Sequence, residues 1–179
     1  MDDIKNNMKI GVVGLGPVGM ILAVKLKEAG CTGAICDKDG YKINKIKEEG
    51  VILENVIEST THFDHVYTSV MEMQGLDLDY LVFSLKSYHT AAAALEAEPL
   101  ITEKLTVISA QNGIDIEELL FPVFGESKTM RLIINFAGNL LAPNRVRVTF
   151  FTPPNYIGSV DDSRTSEAEI FAWLLDNIG

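Results

Sequence analysis

The sequence predicts an α/β fold with a doubly wound parallel sheet and an antiparallel extension near the C-terminus. Three observations carry that expectation. Residues 9–13 form an apolar run that breaks into a glycine-rich turn and continues as an amphipathic stretch. Residues 79–86 and 105–110 are almost continuously apolar, as strands covered on both faces must be. Helical stretches alternate with these runs, which is the βαβ arrangement that makes neighbouring strands parallel.

The first element is the most informative. Lys9-Ile-Gly-Val-Val-Gly14-Leu-Gly16-Pro-Val-Gly19 reads as a strand, a Gly-x-Gly-x-x-Gly turn and the start of a helix running to Gly30. Gly14 is expected to permit the tight turn, Gly16 to let backbone approach a diphosphate, and Gly19 to let the helix lie close on the strand. The unpaired N–H groups of the helix N-terminus favour an anion without any basic side chain, and Pro17 is tolerated in that first turn. Thr32-Gly-Ala-Ile-Cys-Asp37 follows as a second strand whose acid stands 18 residues beyond Gly19, where a dinucleotide presents its ribose hydroxyls.

Residues 39–49 have helical composition, with Ile43 and Ile46 forming one narrow apolar face and Gly50 as the stop. Residues 51–57 and 63–70 are strand candidates by β-branched content. After the strand at 79–86, the alanine-rich stretch 89–98 predicts a helix closed by Pro99. The strand at 105–110 leads into Gln111-Asn112-Gly113 and a helix whose start, Asp115-x-x-Glu118, has the form of a capping box. Strand-like pieces at 130–137, 145–151 and 155–158 predict the antiparallel extension, and residues 165–177 a helix. That last helix is rich in Ile170, Phe171, Trp173 and Leu174, with Ile178 beyond it. These cannot all face one core, so some are expected to be exposed or buried against a second copy, a homodimer being one outcome.

With 179 residues, 47% hydrophobic and 22% charged, the chain has the composition of a soluble single domain, and no apolar run reaches the ~20 residues of a membrane span. The polar start, Met1-Asp-Asp-Ile-Lys-Asn-Asn, is unlike a signal peptide, so a cytoplasmic location is expected. A formal charge of −10 without clustered Lys or Arg opposes nucleic-acid binding. Cys31 and Cys36 lack metal or redox spacing and are expected to be buried, His62 and His65 to be solvated loop residues, and no metal site is expected.

Three segments together resemble the N-terminal, Rossmann-type domain of the ketopantoate reductase (2-dehydropantoate 2-reductase) family. They are Gly14-Leu-Gly-Pro-Val-Gly19, Ser84-Leu-Lys86-Ser-Tyr88-His-Thr90 and Ala110-Gln-Asn112-Gly113-Ile-Asp-Ile-Glu117-Glu118-Leu. The resemblance implies an oxidoreductase that transfers hydride from NADP or NAD to a branched 2-oxo acid. A related dehydrogenase of a bulkier 2-hydroxy acid or sugar acid, or a non-catalytic dinucleotide-binding module, are the alternatives. It also implies cofactor contacts from Gly14, Leu15, Gly16, Pro17, Val18, Gly19, Asp37, Lys38, Lys86 and Asn112. Lys86 and Asn112 stand at the carboxyl ends of buried strands, where open α/β sheets place ligands, and would assist on the substrate side.

The sequence departs from the family in three places. His89 stands where glutamine is common, and is expected to cap the following helix. Lys38 matches the basic residue that holds the 2′-phosphate of NADP, but Asp37 beside it would repel that phosphate, and the carboxylate is expected to prevail modestly in favour of NAD. Family members also carry a second, helical domain that supplies the proton donor and most of the substrate pocket. Residues 1–179 are therefore expected to be the dinucleotide-binding half, incompetent for turnover alone.

Overall fold

The structure, a computed structural model, describes residues 8–176. In chain order its elements are β1 (Lys9–Val13), α1 (Pro17–Glu28), β2 (Thr32–Cys36), α2 (Gly40–Glu49), β3 (Val51–Asn55), β4 (Ser59–Thr61), β5 (His65–Tyr67) and β6 (Tyr80–Phe83). There follow α3 (Thr90–Glu96), β7 (Thr106–Ser109), α4 (Phe121–Phe124), β8 (Thr129–Ile133), β9 (Phe136–Ala142), β10 (Arg145–Phe151), β11 (Tyr156–Ser159) and α5 (Thr165–Asp176). Short 3-10 turns join several of them.

The main sheet has the order β11-β8-β7-β6-β1-β2-β5 and is parallel throughout except for β11 at one edge. The chain leaves β1 toward β2 on one side and returns to β6 on the other, so the topological switch point lies between β1 and β6. Side-chain alternation divides these strands between two cores. Ile10, Val12, Tyr80, Val82 and Ile108 face one, and Val13, Leu81, Phe83 and Val107 face the other. Burial on both sides is the reason the runs read as continuously apolar.

The antiparallel extension is smaller than the sequence suggested. Only β11 adds to the main sheet in that sense, whereas β8 is parallel to β7. β9 and β10 leave to form a second sheet of order β4-β3-β10-β9, in which β3 and β10 are parallel. The reason is α1: it packs on β1 and β2 with one side and on β3, β9 and β10 with the other. Seven of its residues are buried, from Gly19 to Leu26, which is more than one sheet can cover. The inward residues Val146 and Val148 of β10 close over it.

Other local expectations are corrected. The strand at 63–70 shrinks to 65–67, because Ser69 and Glu72 form a capping box that opens a 3-10 turn. His65 consequently lies on β5, its Nδ1 3.2 Å from the Tyr67 hydroxyl, while His62 is exposed between strands. Asp115 makes no capping bond; it is left-handed, and a 3-10 turn rather than an α-helix follows it. On α5, Phe171 and Leu174 are fully buried and Ile170 and Trp173 half-buried, with Phe171 packed edge-on to Tyr80 at 5.1 Å. The Tyr80 hydroxyl donates to the Glu167 carbonyl at 2.8 Å, tying α5 to β6. Ile178 lies outside the described residues.

Cys31 and Cys36 are both buried, in opposite cores. Burial, with the Asp79 carboxylate adding to it, pushes the Cys31 thiol up to about 11. Burial, followed by Asp37, Glu96 and Glu72, pushes Cys36 up to about 12. Native protein at pH 8 is therefore expected to leave both thiols unmodified by an alkylating reagent and to expose both on denaturation. Stoichiometric labelling of the folded chain would contradict this packing.

Candidate functional site

A cleft of about 570 Å³ opens at the carboxyl ends of the parallel strands, over the switch point. Its floor is the turn after β1, where Gly14 has φ +93 and so adopts a conformation that L side chains rarely take. A Cβ there would also stand 2.5 Å from Leu85 Cδ2 and 3.0 Å from the Leu85 nitrogen. At Gly19 a Cβ would collide with the Gly14 carbonyl oxygen and the Ser84 hydroxyl, which itself donates to that carbonyl at 2.6 Å. At Gly16, by contrast, nothing lies within 4 Å of the same position. Two glycines are thus demanded by the protein's own packing. The third faces the cleft and leaves the N-terminus of α1 bare, with no side chain capping it.

Among the residues expected in the site, Gly14, Gly16, Pro17, Val18, Asp37, Lys38, Lys86 and Asn112 line the cleft. Leu15 and Gly19 do not. The Leu15 side chain is in the core, at 0% exposure, and its backbone N–H is spent on Asp37. Gly19 acts through packing instead. Lys86 and Asn112 are exposed on the neighbouring loops after β6 and β7, and both line the cleft.

Asp37, just past β2, is half-buried and accepts three hydrogen bonds from the protein. Its Oδ2 accepts from the Leu15 N–H at 2.8 Å and Lys42 Nζ at 2.7 Å, and Oδ1 from the Asp39 N–H at 3.0 Å. Burial alone would raise this carboxyl, but the bonds from Lys42, Asp39 and Leu15 outweigh it and hold the group below the usual carboxylate range. Lys42 Nζ also donates to the Leu15 carbonyl at 3.0 Å, so one ammonium ties α2 to the glycine turn. Lys38 extends over the cleft instead, its Nζ 3.0 Å from His89 Nε2 and 3.4 Å from Nδ1. His89 makes no capping bond with α3. The 3-10 turn at Ser87–His89 swings its ring toward Lys38 in place of the helix end.

The Gln-Asn-Gly…Glu segment has a structural logic of its own. Gln111 is buried and donates to the Leu85 carbonyl and Thr90 Oγ1, each at 2.7 Å, so the loops after β6 and β7 are pinned together. Arg131 of β8 pairs with Glu117 and donates to the Gly113 carbonyl at 2.7 Å. Glu117, four residues past Gly113, thus braces the loop that presents Asn112. Sequence reasoning missed Lys42, His89 as a cleft residue, and Arg131. The first had a signal, a lysine one helical turn past the strand-end acid. Among the described residues no three His, Cys, Asp or Glu side chains converge to hold a metal, and no helix is long and apolar enough to cross a membrane.

A 2-dehydropantoate 2-reductase of Aquifex aeolicus (strain VF5) is 30% identical over 151 residues, covering 84% of this chain and 46% of that protein. Another, of Mesorhizobium japonicum, is 29% identical over 107 residues, 60% of this chain and 32% of the relative. The chain thus spans about half the length, or less, of the curated relatives it matches. Its fold is shared by the 2-dehydropantoate 2-reductase of Geobacter metallireducens GS-15, at a TM-score of 0.84 and 20% identity, over 96% of this chain and 56% of that one. D-mandelate dehydrogenase in ternary complex with NADH and anilino(oxo)acetate shares it at a TM-score of 0.84 and 20% identity, over 96% and 55%. The model of the ketopantoate reductase PanE/ApbA family matches residues 10–162, and the chain belongs to that family.

Proposed function

We propose that this chain is the nicotinamide-dinucleotide-binding half of a reductase that converts a branched 2-oxo acid, 2-dehydropantoate, to its 2-hydroxy acid. The observation that carries the reading is the contrast among the glycines: packing requires Gly14 and Gly19, while Gly16 is open to the cleft. The backbone there and the N-terminus of α1 form a seat for a diphosphate. When bound, the dinucleotide supplies the hydride. Lys86 and Asn112, on the lips of the cleft, offer an ammonium and an amide to the nicotinamide ribose and the substrate carbonyl.

Thermal unfolding with and without NADH or NADPH tests this. A ligand at about a hundred times its Kd adds roughly 2.7 kcal/mol of stability, so a saturable rise in Tm is expected. The same chain given 2-dehydropantoate and reduced dinucleotide is expected to show no steady-state turnover, the proton donor lying in the half that the longer relatives add. No Tm shift with either dinucleotide would overturn the binding role, and turnover by the 179-residue chain would overturn the division of labour.

A further inference from the structure

Asn112 stands between two pinned neighbours. On one side Gln111 is buried and bonded to the Leu85 carbonyl and Thr90 Oγ1, which fixes it to the loop after β6. On the other, the Gly113 carbonyl accepts from Arg131 Nη2 at 2.7 Å. Gly113 has φ +139, a conformation that glycine enters and leaves freely, so the backbone by itself does not fix the turn that Asn112 begins.

Packing does not fix it either. From 112 to 119 no residue is buried, and Ile114 is 89% exposed. Among the described residues, the hydrogen bonds that tie 112–117 to a neighbouring strand come from Arg131. Its planar guanidinium reaches two acceptors at once, the Glu117 carboxylate through Nη1 and the Gly113 carbonyl through Nη2. Arg131 stands on β8, flanked by β7 and β11, so the anchor is a strand inside the sheet. Its Nε is buried with no hydrogen-bond partner among the described residues, a desolvation cost of the kind met where function constrains a side chain.

We propose that Arg131 and Glu117 are positioning residues for Asn112, holding its amide toward the nicotinamide end of the bound dinucleotide and the carbonyl of the 2-oxo acid. Neither lines the cleft. Glu117 orients the guanidinium, the guanidinium holds the Gly113 peptide, and that peptide sets where the preceding side chain stands.

This inference rests on the dinucleotide reading, and calorimetric titration with NADH, NADPH, 5′-ADP and 2′-phosphorylated 5′-ADP separates the two. The ADP ligands bring a diphosphate to Gly16 but have no nicotinamide end to meet Asn112. Arg131→Met/Glu117→Gln removes both charges together, and should weaken the dinucleotides by about fivefold to tenfold while leaving the ADP ligands within roughly twofold. Should that variant fail to fold, Arg131→Lys keeps an ion pair with Glu117 but cannot fork to the Gly113 carbonyl, and should show the same selective loss at about threefold or more. Asn112→Ala should show this pattern too, and should add little when combined with either Arg131 variant, because one residue acts through the other. Losses shared equally by dinucleotides and ADP ligands, unchanged dinucleotide affinity, or losses that add to those of Asn112→Ala overturn the proposal while leaving dinucleotide binding intact. Asn112→Ala without effect overturns it together with the role given to Asn112. No binding of any of the four ligands overturns the dinucleotide reading as well.

Discussion

Replacing Gly19 by alanine is expected to lower stability by about 3 kcal/mol or more, at or beyond the upper end of overpacking costs. The atoms in the way decide the magnitude. A Cβ at this position would overlap the Gly14 carbonyl oxygen and would lie 3.1 Å from its carbon, so the obstacle is backbone rather than the end of a flexible side chain. Relief requires α1 to lift from β1. The helix is held on its other side by β9 and β10, which leaves it little room. For a domain of this size each kcal/mol moves Tm by roughly 2–4 °C, so a drop of about 6–12 °C, or failure to fold, is expected in thermal unfolding. A variant melting within a degree or two of the parent would show that the turn and helix are less tightly joined than described.

Gly16→Ala is expected to do the reverse: leave the fold and remove the ligand. Its φ of −75 is ordinary for any residue, and the new methyl group meets no protein atom within 4 Å. Alanine is a poorer N-cap than glycine, which limits the stability change to about 1 kcal/mol or less. The methyl group would, however, project into the cleft where backbone has to approach the diphosphate. Loss of dinucleotide affinity of about a hundredfold follows if that approach is blocked, roughly 2.7 kcal/mol. The decisive measurement pairs the two variants: Tm of the free protein and ligand-induced shift for each. A ligand shift that survives in Gly16→Ala places the diphosphate elsewhere and removes the argument for the site.

The parts of the fold legible in the sequence were those governed by local chemistry. The glycine turn, the stop at Gly50 and the two doubly buried strands follow from conformational limits and alternation that neighbouring residues suffice to express. Partner choice among strands does not. Residues 130–151 read as strands in any arrangement; their departure into a second sheet depends on α1 burying residues around most of its circumference, a property of the assembled layers. The same distinction holds in the cleft. Asp37 was visible from its spacing to Gly19, but its engagement by Lys42 needs a side chain to fold back across the glycine turn. The place of His89 before an alanine-rich run suits a cap, but the 3-10 turn at 87–89 gives it a different direction.

The clasp of α1 between two sheets has a thermodynamic consequence for anything docking at its N-terminus. An anion site made by a loop loses conformational entropy when its ligand arrives, and that loss subtracts from affinity. Here the donors belong to a helix fixed on two opposite sides by strands distant in sequence, so the ordering is completed while the chain folds. The bare N–H groups face the cleft already aligned, and a diphosphate settling there would meet a rigid dipole. The four-stranded sheet, which supplies none of the residues lining the cleft, thereby contributes to binding as a buttress that keeps the receptor from having to reorganise.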